Sequence, residues 1–204
     1  MINPEDLLTI FVLIYSIVLH EVAHGLVAFK FGDKTAFHAG RITLNPLPHI
    51  DFLGSIVVPI VSTLSGFGPF GWAKGVPVNS YNLKGKLASF WVSSAGILMN
   101  LALAGVSWLV LYSFSAYSIL TPTVSFVFFT ILYINLALAI FNLMPIPPFD
   151  GINIIRGLVP KLRASYLGFE QNPLFMIISI LLASKIFHLI YPFIIEKVIH
   201  SLSI

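Results

Sequence analysis

The stretch LLTIFVLIYSIVLHEVAHGLVAF, Leu7 to Phe29, decides how this chain is read. It is apolar for long enough to cross a bilayer, at about 20 residues per crossing. Inside it lie His20, Glu21 and His24. A charged side chain near a bilayer centre costs at least roughly 2.5–3.5 kcal/mol, so an acid between two histidines there implies work. On a helix His20 and His24 stack on one face, where two imidazoles can grip one metal ion. Glu21 sits beside the first of them, where a carboxylate can take a proton from a water that the metal activates. The pattern reads as a zinc protease site inside a membrane. At 1.5 Å per residue His20 is about 14 Å from the Phe29 end, nearer the side where Lys30 emerges.

Composition agrees with the membrane reading. Of 204 residues, 57% are hydrophobic and only 9% are charged, and the mean hydropathy is +0.95. A soluble domain carries about 25% charged residues. The length leaves no room for a membrane core plus a soluble domain of ordinary size, so residues 1–204 are expected to form a single membrane-embedded domain. The net charge of +3, without any Lys/Arg run, gives no nucleic-acid partner. The absence of cysteine excludes disulfides, thiolate zinc sites and cysteine nucleophiles. The first apolar run does not read as a cleaved signal peptide: Pro4-Glu5-Asp6 stands where a basic region is expected, and its centre is polar.

Three further runs are long enough to span: Leu87 to Phe114, Thr123 to Leu143, and Leu174 to Ile195. Phe52 to Leu64 is apolar but short, with Gly54 and Pro59 inside, which suits a re-entrant or interfacial segment. Gly40 to Leu44 reads as a short strand, and Trp72 to Val78 as its partner across the glycine-rich turn Ser65 to Gly71. The fold class expected is an all-α membrane protein: a multi-pass helical bundle of about four spans plus a re-entrant segment, with a small β-hairpin near the cytoplasmic side. Such a hairpin could accept an unwound substrate by strand addition. Orientation follows from the basic residues. Lys30, Lys34, Arg41, Lys74, Lys84 and Lys86, with Arg156, Lys161 and Arg163, fall on one side if 52–64 dips in and returns. That side is the cytoplasm, and the metal site lies toward it.

Two histidines leave a zinc ion short of a protein ligand, since catalytic zinc takes three plus water. The candidates are Asp150, His38, His49, Asp51, Glu170, His188 and His200. Asp150 fits best. Pro145, Pro147 and Pro148 cannot continue the preceding helix, so the chain can turn this carboxylate inward, and Gly151 permits close approach. Asn142 ends the same span, where its amide could donate to the oxyanion formed as water attacks a peptide carbonyl, or simply cap the helix. Asp51 reads as an N-cap. His38 and His49 read as loop residues, and Lys185 and His188 as a snorkelling pair or a polar path. Gly96 and Asn100 read either as helix packing or as catalytic support.

HEVAHG in the first span and NLMPIPPFDG after the third resemble the site-2 protease family of intramembrane metalloproteases. SAGILMN, Ser94 to Asn100, is similar to that family's GxxxN element. RITLNPLPHIDFLGS and FGWAKGVPVN resemble the linker of its compact branch, which lacks a PDZ domain. The resemblance covers residues 7–165, leaving 174–195 as an accessory span. It implies His20, His24 and Asp150 as ligands of one zinc per chain, Glu21 as catalytic acid/base, and Asn142 as a substrate-positioning or oxyanion group. The partners it implies are the lipid bilayer and a transmembrane protein substrate. One departure is Lys74-Gly75-Val76-Pro77, where such linkers often read KPVPVN. The rival readings are a divalent-metal transporter, which should show several metal sites or inverted repeats, and a catalytically silent relative that binds membrane proteins, against which the intact Glu21 argues.

Overall fold

The computed structural model describes residues 3–57, 73–117, 121–159 and 172–202. Four long helices carry the fold: α1 (Pro4–Lys30), α3 (Ala88–Ala116), α4 (Pro122–Asn142) and α6 (Pro173–Ser201). Each is long and apolar enough to cross a membrane. Among the described residues there are two further, shorter α-helices, α2 (Thr35–His38) after the first span and α5 (Asp150–Leu158) after the third. Leu7, Ile10, Phe11, Leu98, Leu101, Val106, Leu109, Leu181, Leu182 and Leu189 are among the large apolar side chains left exposed along these helices. A soluble protein would bury such a surface; lipid covers it at no cost.

The helices meet along stripes spaced every fourth residue. On α1 the buried stripe includes Val12, Ser16, His20, His24 and Ala28. On α3 it includes Ala88, Val92, Gly96, Asn100 and Ala104. Small residues on these stripes let the backbones approach. Gly157 does the same where α5 crosses the start of α3: a Cβ there would lie 2.5 Å from the Phe90 nitrogen. Helix α6 packs through Ala183 on Met144 and Phe149, and through the Tyr191 hydroxyl, which donates to the Tyr133 carbonyl at 2.8 Å.

Among the described residues the expected β-hairpin does not form: there is no strand, and 40–44 and 73–78 are joined differently. Gly40 takes a positive φ of 66° and breaks any extended run. The Arg41 guanidinium donates to the carbonyls of Lys74 and Gly75. The Val76 N–H donates to a side chain, and Pro77 has no N–H. The peptide groups that a ladder would need are therefore taken by side chains. One backbone bond links this segment to the first loop, Lys74 N–H to the His49 carbonyl at 2.9 Å. Of the expected re-entrant segment, Leu53–Val57 forms one widened helical turn; residues 58–64, and the turn at 65–71, lie outside the described residues. Asp51 does cap that turn, accepting from the Gly54 N–H at 2.7 Å.

Candidate metal centre

Helix α1 places the Nε2 atoms of His20 and His24 3.1 Å apart. The Pro145–Phe149 loop then reverses the chain after α4, and Asp150 opens α5. Its Oδ2 lies 3.0 Å from His20 Nε2 and 3.1 Å from His24 Nε2. Gly151 makes this turn possible: a Cβ there would run into the carbonyl oxygens of Leu143 and Met144. Helix α3 passes so close at Gly96 that a Cβ would strike His20 Nε2 and sit 2.5 Å from His24 Nε2. Both imidazoles are buried, at 6% and 7% exposure.

The donor set suits zinc. Ligand atoms about 2.0–2.1 Å from a tetrahedral zinc stand about 3.3 Å apart, close to the triangle found. The far nitrogens are committed in the sense a metal requires. His24 Nδ1–H donates to the Val92 carbonyl at 2.6 Å, and His20 Nδ1–H donates to Asn100 Oδ1 at 2.6 Å. Both Nε2 lone pairs then face Asp150, and three acceptors converge on a point that calls for a cation. His20, His24 and Asp150 form the one such cluster among the described residues.

Glu21 is held separately. Its Oε2 accepts from the Val76 N–H at 2.7 Å, and a Cβ on Gly75 would stand 3.7 Å from the same oxygen. The departure at Gly75 therefore lies against the expected acid/base. Arg41 fixes this segment through the Lys74 and Gly75 carbonyls. Asn142 is half-buried at the end of α4, and its Nδ2 donates back to the Leu138 carbonyl at 3.0 Å. The other candidate ligands are elsewhere. His49 is buried but bonds the Thr43 carbonyl; His38, His188 and His200 are exposed. Asp51 is a cap, and Glu170 lies outside the described residues.

Two contributors were missed in the sequence. Asn135 and Ser16, both buried, extend the contact of Asn100: Asn100 Nδ2 donates to Asn135 Oδ1 at 2.9 Å, and Asn135 Nδ2 donates to Ser16 Oγ at 2.9 Å. The signal was available, since an amide inside an apolar span must find partners.

A bundle of membrane-length helices around two buried histidines and a part-buried carboxylate, with a glutamate next to the first histidine, defines a membrane metalloenzyme of the HExxH type. Comparison with known proteins gives the family. Residues 116–185 match the family model of Peptidase family M50. The chain is 43% identical over 154 residues to the "Putative zinc metalloprotease YwhC" of Bacillus subtilis, covering 72% of this chain and 67% of that protein. It is 27% identical over 205 residues to the "Putative zinc metalloprotease Rip2" of Mycolicibacterium smegmatis, covering 94% and 76%. No solved structure matches the chain. The chain belongs to Peptidase family M50.

Proposed function

We propose that this protein is an intramembrane zinc metalloprotease that hydrolyses peptide bonds in transmembrane segments of other membrane proteins. The observation that carries the proposal is the convergence of His20, His24 and Asp150 within 3.1 Å, beside Glu21, inside a bundle of membrane-length helices. His20, His24 and Asp150 hold one zinc per chain. A zinc ion held there would supply a Lewis acid for the scissile carbonyl and a water of lowered pKa, toward about 7. Glu21 takes the water's proton and later delivers it to the departing amine. The Val76 N–H orients this carboxylate, so the 74–76 segment acts as a positioning strap. Asn142 donates to the oxyanion or aligns the substrate, for which its amide must leave the Leu138 carbonyl. The substrate helix unwinds before cleavage, because its own hydrogen-bond ladder hides the peptide bonds.

The chain works as one membrane-embedded domain, its core 7–165 and its accessory span 174–195. In this reading the metal centre faces the cytoplasm, which the basic residues that follow α1 and α4 in the sequence support. Water reaches it from that face. The test is cleavage of a tagged helical substrate in liposomes, with and without chelator, alongside metal flux. Chelator-sensitive cleavage without flux supports a protease; flux without cleavage means a transporter.

A further inference from the structure

We infer that Asn135, on α4, is a positioning residue for the metal centre: acting through Asn100, it fixes which nitrogen of His20 carries the proton. The inference rests on the proposal that His20 is a zinc ligand.

The two histidines obtain their tautomers in different ways. His24 Nδ1 faces the Val92 backbone carbonyl, which can only accept, so this nitrogen carries the proton and Nε2 keeps its lone pair. His20 Nδ1 faces a side-chain amide, Asn100. An amide can present its oxygen or its NH₂, and the two ends have the same shape. If Asn100 presented NH₂, His20 would be held in the other tautomer, with a proton on Nε2 aimed at the metal position. Something must hold the amide one way round.

The chain of contacts behind Asn100 does this. The Ile131 carbonyl lies 2.9 Å from one end of the Asn135 amide. A carbonyl only accepts, so that end is NH₂; Ser16 Oγ accepts from it as well, at 2.9 Å. Asn135 Oδ1 is thereby turned toward Asn100, whose near end must donate, at 2.9 Å. The Ser16 carbonyl, at 3.4 Å from the same NH₂, favours the same orientation. Asn100 Oδ1 is left to face His20 Nδ1. Both amides are 0% exposed, so no bulk water can replace a lost partner. A backbone carbonyl of α4 thus sets the proton on a side chain of α1 through two amides. A buried asparagine that only glues helices needs no direction; this chain has one.

The experiment uses the full chain in detergent and reads zinc affinity by competition with a chelator, together with the Tm of the zinc-free protein. Asn135→Leu should weaken zinc binding of the folded chain about 10–100-fold, the range for partners behind a ligand, while the zinc-free Tm falls only by what the lost Asn100 and Ser16 contacts cost. Asn100→Asp presents an acceptor at either end, so its orientation no longer matters. In that background Asn135→Leu should cost less than about threefold more in zinc affinity. If Asn135→Leu does not fold, Asn135→Ser carries the same comparison. Zinc affinity within twofold of the parent in the folded variant, or equal losses in both backgrounds, overturns the inference while leaving His20 as a ligand. Unaltered zinc affinity in His20→Ala overturns the ligand assignment itself, and the inference with it.

Discussion

Helices α1 and α6 invite comparison. They have 27 and 29 residues, both are apolar enough to span, and both carry histidine well inside. On α1, Ser16, His20 and His24 lie on a buried stripe and meet partners from three other helices: Val92 and Asn100 of α3, Asn135 of α4, Asp150 of α5. On α6, Lys185 and His188 are exposed, and His188 Nδ1–H only donates one turn back to the Ser184 carbonyl at 2.7 Å. His200 pairs loosely with its helix neighbour Glu196 at 3.9 Å. The buried contacts of α6 are mostly apolar or aromatic. A polar residue in an apolar helix thus marks a site where other elements bring it complementary chemistry. Without them it serves its own helix.

Breaking the α1 side should have the largest effects. Glu21→Gln should lower peptide cleavage by at least about a hundredfold, the lower end for a lost general acid/base, while zinc per chain stays at the parental value; paired cleavage and metal assays check this. Asp150→Ala should weaken zinc binding sharply, because the ion then keeps two protein ligands instead of three, and cleavage should fall with it. Gly96→Ala should cost about 1–3 kcal/mol in stability by overpacking and should also weaken zinc, since the new methyl meets both imidazoles; thermal unfolding with and without zinc separates the two effects.

A smaller, pH-dependent effect is expected at Asp33, just past α1. Burial alone would raise its pKa, but bonds from Thr35, Asn82 and Asn79 outweigh burial and hold it below the ordinary 3.8. A depressed carboxyl stabilises the fold above that ordinary value and loses its contribution as pH falls through the lower folded value. The anchoring of Asn79 and Asn82 to the end of α1 should therefore loosen below about pH 4. Hydrogen exchange at the Asn79 amide across pH 2–5 reports it, and Asp33→Asn should flatten the profile. On the α6 side, His188→Ala should leave zinc affinity and cleavage within twofold; a larger loss would dissolve the contrast between the two helices.

Much of this was legible in the sequence, for physical reasons. The four spans show because a bilayer demands a continuous apolar run, and the ends found for α1, α3 and α4 lie within a few residues of those read. The His20–His24 pair shows because helical spacing is fixed, and Asp150 because a proline-rich turn followed by glycine stands out. The linker was misread. Alternation in short segments suggested paired strands, but it does not reveal that Arg41 and Glu21 occupy the peptide groups a ladder would use. Asn135 was passed over because a single amide in an apolar span carries no spacing signal; its meaning lies in Ser16 and Asn100, which only tertiary packing brings to it.

The central claim is that one zinc is held by two imidazoles of α1 and the carboxylate that opens α5. Zinc K-edge X-ray absorption on the purified parent and Asp150→Ala tests it most directly. The account predicts, in the parent, two imidazole nitrogens and a carboxylate oxygen at about 2.0–2.1 Å, and loss of that oxygen or of the zinc in the variant. A zinc coordination shell identical in the two proteins would contradict it.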